Sequence, residues 1–186
     1  MTQITLQAVD SPARDDAAHE LVAEYLRWVA GVAASDHGLR FDVEAMLRSD
    51  VEDRAKFHPP AGRLYLAYQE TEAIGIGALK SLTQHVGEIQ RMYVRPSARG
   101  LGVGRLLAQR LVHDARAMGL ARVRLESLRA LGAAHRLYRS LGFVDIAPYA
   151  DNSMRDYQAA DALDAYRGSA VFMELDLAMP DGGKAG

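Results

Sequence analysis

Three observations in the sequence predict one α/β domain. Strand-like and helix-like segments alternate along the chain, two of the strands are joined as a hairpin, and no repeat or linker divides them. At 186 residues there is enough chain for one sizeable core. The domain is expected over 1–178, with residues 179–186, "MPDGGKAG", as a disordered tail.

The elements follow in order. "ITLQAV" (Ile4 to Val9) alternates polar and apolar residues and reads as a strand. Asp15 to Val32 places Leu21, Val22, Tyr25, Leu26, Trp28 and Val29 at helical spacing, and a second helix opens near Phe41. "HPPAG" breaks the chain, because proline cannot continue a helix or a central strand. "RLYLAYQE" and "AIGIGALKSLT" form a hairpin across Glu70-Thr71-Glu72, and "VGEIQRMYV" is a further strand stopped by Arg95-Pro96. A glycine-rich loop leads into "VGRLLAQRLVHDARAMG", a helix with Leu107, Leu111 and Ala115 on its apolar stripe and Gly119 as terminator. "ARVRLES" is a strand, "GAAHRLYRSLG" a short helix, and "FVDI" and "AVFMELDL" are closing strands. Between those last two lies a long insertion, residues 149–168, where Tyr157, Ala160, Leu163 and Tyr166 recur at helical spacing. It reads either as a lid or as a plain insertion.

Composition narrows the function. Without cysteine there is no disulfide, thiolate metal site or cysteine nucleophile, and a reducing, cytoplasmic setting is expected. The N-terminal "MTQITLQAVD" lacks the charged-then-apolar pattern of a signal peptide, and no apolar run approaches the roughly 18 residues of a membrane span. Net charge is −2, yet Arg91 to Arg139 holds eleven arginines against Asp114 and Glu126, a local +9 that leaves −11 elsewhere. This asymmetry fits either a polyanionic ligand or a solvated basic face. A nucleic-acid partner is not expected, because the arginine stretch lacks interleaved aromatic residues and also encodes core helices. The six histidines show no metal spacing and read as surface or packing residues, so no metal is expected.

The loop "RGLGVG" sits between a strand and a helix, with Gly100, Gly102 and Gly104 alternating. A helix start carries unpartnered N–H groups and a positive dipole end, and glycines let a phosphate approach them. The loop is not a Walker sequence, since no lysine follows its glycines, and its spacing differs from G-x-G-x-x-G.

Three motifs in order resemble the GCN5-related N-acetyltransferase (GNAT) family. Arg99-Gly100-Leu101-Gly102-Val103-Gly104 is similar to its R/Q-x-x-G-x-G/A phosphate loop, "EIQRMYVRP" to its fourth strand, and "AAHRLYRSLGF" to its A-x-x-x-Y-x-x-x-G-F helix. The resemblance implies a mixed, mostly antiparallel central sheet flanked by helices and splayed between strands 4 and 5, with acetyl-CoA in the gap. It implies direct acetyl transfer to a primary amine, with a small molecule as the expected acceptor. A protein N-terminus or lysine, or a non-catalytic acyl-CoA-binding module, stand as alternatives, and a homodimer is left open.

The resemblance also supplies residue roles. Glu88 is the candidate base and Tyr138 the candidate acid facing the thioester sulfur. A regular strand would put Glu88, Gln90, Met92 and Val94 on one face. Four steps of roughly 3.3 Å span about 13 Å, so Glu88 is expected to act through ordered water. Main-chain groups at Met92, Tyr93 and Val94, freed by the family's bulge, would polarise the thioester carbonyl. Arg99, Gly100, Leu101, Gly102, Val103, Gly104 and Arg105 would hold the pyrophosphate, with Arg95 either meeting phosphate or pairing with acids. Tyr25, Trp28, Tyr149, Asp151 and Asn152 come from segments that line the acceptor side in the family, although core packing competes for the aromatics. One departure is Leu131, which stands where many members bind the pantetheine arm with asparagine.

Overall fold

The computed structural model describes residues 3–149 and 167–178. Most of the 149–168 insertion, including Asp151, Asn152 and the segment expected to carry a helix, and the 179–186 tail lie outside the described residues.

Strand β1 (Ile4–Ala8) leads to helix α1 (Pro12–His37), opened by Ser11-Pro12 and closed at Gly38. The helix is longer at both ends than hydrophobic spacing alone implies, because proline is tolerated in the first turn and the stop signal is the glycine. Helix α2 (Val43–Glu52) is capped by Asp42, whose carboxylate accepts from the Ala45 N–H at 2.9 Å. Strands β2 (Gly62–Gln69), β3 (Glu72–Ser81) and β4 (Val86–Val94) then form a meander. Helix α3 (Val103–Ala117), β5 (Arg122–Leu128), α4 (Gly132–Ser140), β6 (Val144–Ile146) and β7 (Ala170–Asp176) complete the described chain.

The seven strands form one sheet in the order β1-β2-β3-β4-β5-β7-β6. All neighbours are antiparallel except β4 and β5. Those two pair in parallel at Val86–Arg122, Gly87–Val123 and Glu88–Arg124 only, so the sheet splays beyond Glu88, as the resemblance implies. β7 returns between β5 and β6, a crossover that chain order alone does not disclose.

Each face of the sheet carries its own apolar layer. Val103, Leu107, Leu111 and Ala115 of α3 pack on one face with Leu79, Ile89, Leu125 and Tyr138. Leu21, Leu26, Val29 and Ala33 of α1, with Met46 and Leu47 of α2, cover the other. Burying a leucine or phenylalanine side chain contributes about 1.5–3 kcal/mol, so these two layers are what hold the splayed strands in place.

The β3–β4 ladder is interrupted once. Ile76 pairs with Tyr93 and Ala78 with Gln90, so Arg91 and Met92 together face Gly77, and Arg91 takes φ 52°. The extra residue overturns the simple alternation expected for this strand. Tyr93 belongs to the α1 layer, whereas Met92 and Val94 pack toward the α3 layer, away from the face of Glu88 and Gln90. A Cβ on Gly77 would stand 2.7 Å from Met92 Sδ and 3.2 Å from Leu111, so a larger residue there would push the Met92 thioether aside and crowd α3.

Candidate active site

The glycine loop is a turn of three residues, Pro96–Ala98, followed by Gly100 at φ 85° and Gly102 at φ 84°. A Cβ at either glycine would meet nothing within 4 Å. Backbone conformation, not crowding, therefore selects glycine here, and the space above the loop is open. Gly102 is the N-cap of α3 and supplies no side-chain cap, so the first-turn amides of Val103, Gly104 and Arg105 point outward without an intrahelical acceptor. A diphosphate fits this cradle.

The arginines around the loop have separate duties. Arg99 donates to the Val94 carbonyl at 3.2 Å, and its guanidinium lies 4.9 Å from the ring centroid of Trp28. Arg105 donates to Ser140 Oγ at 2.7 Å, joining α3 to α4. Arg95 is no phosphate partner. It is held by Glu20 and Glu24 at 2.6 Å each, by Glu72 at 3.3 Å and by the Ala73 carbonyl, and the hydrogen bonds it donates to Glu24 raise its pKa further. It pins α1 to β3, and this charge cannot also serve a ligand.

Trp28 is the chain's single tryptophan and packs 6.0 Å from Tyr93, so the acceptor role expected of it gives way to a place beneath Arg99. It also makes the loop easy to follow. Coenzyme A binding at the loop should change Trp28 fluorescence, and Gly102→Ala should weaken that binding about tenfold by obstructing the approach to the amides. The same change should cost about 1–2 kcal/mol of stability from left-handed strain. Fluorescence titration with denaturant unfolding reads both effects.

Where β4 and β5 part, a cavity of about 90 Å³ opens between the two faces of the sheet. Gln90, Met92, Glu126, Ser127, Leu131 and Tyr138 line its sheet side, and α1 and α2 close the other. Leu131 occupies the N-cap of α4 without a side-chain cap, so an apolar wall stands where an amide would reach a pantetheine arm.

Tyr138 is buried, packs on Phe143 at 5.6 Å and reaches the cavity, with no hydrogen-bond partner for its hydroxyl among the described residues. Burial, and secondarily the neighbouring Tyr25, pushes its pKa well above the usual phenol range. The phenol thus stays protonated across the physiological range and has an O–H to donate into the cavity.

Glu88 is fully buried and stands behind the cavity wall. Tyr149 donates to its Oε1 at 2.8 Å, and the Gln90 amide donates to its other oxygen. Tyr149 packs edge-on to Phe172 with Arg124 over its ring, and burial followed by the Glu88 charge raises its pKa. Glu88 therefore fixes Gln90 and Tyr149, and Gln90 alone of the three lines the cavity.

Sequence reasoning missed two residues here. Glu126 of β5 is the only acid on the cavity wall among the described residues. Its signal was present, since it is one of only two acids in the arginine-rich segment and sits in the strand that leads to the tyrosine helix. Arg91, at the bulge, also reaches the cavity, while its Nε and Nη2 donate to Asp50 of α2 at 2.6 and 2.8 Å. Burial opposes ionisation of Asp50, but hydrogen bonding and charge from Arg91, with Lys56 at 3.3 Å, hold its carboxyl below the ordinary value. Among the described residues, no group of three or more acids and histidines is placed to hold a metal.

Residues 17–143 match the Acetyltransferase (GNAT) family. The chain belongs to this family. It is an acetyl-CoA-dependent N-acetyltransferase. The acetyltransferase is 30% identical to the IAA acetyltransferase of Azospirillum brasilense over 150 residues, 80% of this chain and 90% of that one. It is 36% identical to the mycothiol acetyltransferase of Thermomonospora curvata over 138 residues, 73% of this chain and 43% of that one. Its fold is shared with the PaiA N-acetyltransferase of Thermoplasma acidophilum in complex with coenzyme A, at a TM-score of 0.68, 17% identity, and coverage of 94% and 99%. It is shared also with the acetyltransferase yncA of Salmonella typhimurium with acetyl-CoA, at 0.64 and 18% identity over the whole of both chains. No helix of the acetyltransferase is long and apolar enough, among the described residues, to cross a membrane.

Proposed function

We propose that this acetyltransferase modifies the primary amine of a small molecule by direct transfer, in the cytoplasm. The observation that carries this reading is the cavity at the splay, where one carboxylate and one protonated phenol face a common space walled by α1 and α2. The pyrophosphate rests on the amides around Gly102 to Arg105, and the thioester lies along the parted edge of β4. Binding both substrates there makes the bimolecular step an oriented one, worth several kcal/mol.

The catalytic residues divide the work. Glu126 removes a proton from the bound ammonium. The freed nitrogen attacks the thioester carbonyl carbon, whose oxygen is received by main-chain N–H groups of Met92 to Val94, at and just beyond the bulge. The C–S bond breaks, and Tyr138 hydrogen-bonds the departing sulfur. A thiolate whose thiol has a pKa near 8.5 cannot draw the proton fully from so weak an acid, so solvent completes protonation. Ammonium and thioester become amide, thiol and one proton. Glu88 is a positioning residue, setting the Gln90 amide against the cavity.

The test measures thioester consumption against small amines, amino acids and peptides with free N-termini. Turnover of small amines above hydrolysis supports the proposal; turnover of peptides alone overturns it. Tyr138→Phe should lower kcat about 10–100-fold with coenzyme A affinity unchanged, and unchanged kcat removes the tyrosine from the chemistry.

A further inference from the structure

The β4 bulge is fixed from both faces of the sheet. Arg91 and Met92 have no partner in the register with β3, and beyond Glu88 the opposite edge of β4 is not paired with β5. An extra residue held by neither neighbouring strand can slip back into regular pairing. On the α3 face, Gly77 leaves room for the Met92 thioether, because a Cβ there would stand 2.7 Å from Sδ. On the α2 face, the hold is Asp50.

Arg91 adopts φ 52°, a left-handed conformation that non-glycine residues seldom keep without support. Its Nε and Nη2 donate to the two oxygens of Asp50 at 2.6 and 2.8 Å, a planar two-pronged grip that fixes direction as well as distance. The pair is shielded, with side-chain exposures of 7% and 11%, so water competes little for it. Asp50 is itself anchored. It lies in the last turn of α2, Lys56 stands 3.3 Å from its carboxylate, and Met46 and Leu47 of the same helix are buried. Asp50 does not line the cavity at the splay, whereas Arg91 and Met92 do. Its influence on the reaction therefore runs through the backbone that carries Arg91.

We propose that Asp50 is a positioning residue for acetyl transfer: by gripping the Arg91 side chain it keeps the β4 bulge in register, and so aims the main-chain N–H groups of Met92 to Val94 at the thioester oxygen. This rests on the proposed use of those groups to receive that oxygen. Donors aimed in advance act on the transition state without reorganisation, and a displacement of about 1 Å at such a site is costly. The reacting groups are unchanged, and what Asp50 supplies is their alignment.

The test needs no acceptor. Acetyl-CoA carrying heavy carbon at its carbonyl is compared, free and at saturation on the enzyme, by difference infrared spectroscopy, with binding followed through Trp28. A hydrogen bond to the oxygen lowers the C=O stretch, so the bound band is expected below the free one in the unaltered enzyme. Asp50→Asn keeps the shape of the side chain and one acceptor oxygen but not the grip, and should lose about half or more of that displacement. Arg91→Lys keeps a cation beside the carboxylate, should Asp50→Asn fail to fold, but its single ammonium cannot reproduce the planar fork. It should lose the displacement likewise. Leu120→Ala removes a buried side chain beside Gly87 at the other end of β4, and should lower the unfolding temperature while leaving the band in place. A displaced band that either folded variant retains in full overturns the role of Asp50 and leaves the carbonyl contact standing. A band at the free frequency in the unaltered enzyme overturns the carbonyl contact itself, and this inference with it. Equal loss in Leu120→Ala assigns the effect to general loosening and overturns the inference too.

Discussion

Exchanging Glu126 for glutamine should lower kcat/KM by about 100-fold or more while acetyl-CoA binding, followed through Trp28, stays as it was. General base catalysis contributes on that scale, and glutamine keeps the size and polarity of the side chain while removing the basic oxygen. Glu88→Gln is the informative companion. Glu88 has no direct view of the cavity and holds Gln90 and Tyr149 from behind. Its loss should reduce stability, because a buried network would lose its acceptor, and should affect turnover less than Glu126→Gln does. If Glu88→Gln is the more severe for kcat and Glu126→Gln is almost silent, the proton travels through the buried carboxylate and the roles are exchanged. Steady-state kinetics on both variants, beside their denaturation curves, separates the cases.

Breaking the Arg91–Asp50 pair should have the largest effect on stability. Asp50→Ala leaves the Arg91 guanidinium buried against β4 without its bidentate partner, at an expected cost of about 3–5 kcal/mol. A double-mutant cycle with Arg91→Met tests the coupling. The double variant should regain much of the loss, since neither charge is then stranded. Acidity gives an independent signature. The folded-state pKa of Asp50 is depressed, so its contribution is fully present above the unfolded carboxyl value and fades as pH falls through the folded one. The unaltered enzyme should therefore lose stability below about pH 4 by a step that Asp50→Asn lacks. Urea denaturation across pH 2 to 6, with an equal slope in both proteins, would miss that step and dismiss the pair as a source of acid sensitivity.

What could be read from the sequence was local. Gly100 and Gly102 announce a left-handed turn into α3, and the 3.6-residue spacing of Leu107, Leu111 and Ala115 marks its buried stripe. Both signals lie within a few residues of the structure they dictate. The motif order carried the family and the splay. The rest depended on pairings across long separations. Arg95 meets Glu24 from 71 residues away, and nothing near the loop indicates that its charge is already taken. Glu126 faces the cavity because β5 runs beside β4 and then departs from it, which requires the sheet order. Period-two reasoning failed at Met92 because a single inserted residue reverses every later side chain.

Arg91 carries one more consequence. A non-glycine residue in the left-handed region at the bulge is kept there by a carboxylate from α2. The bulged strand β4 and helix α2 are thus tied by one buried ion pair. By the reciprocity of linked equilibria, an acceptor that tightens α2 around Asp50 and thereby changes donor affinity must have its own affinity changed by the donor in equal proportion. Any such coupling should vanish with the Arg91–Asp50 pair, and its size would be the same whichever substrate is bound first.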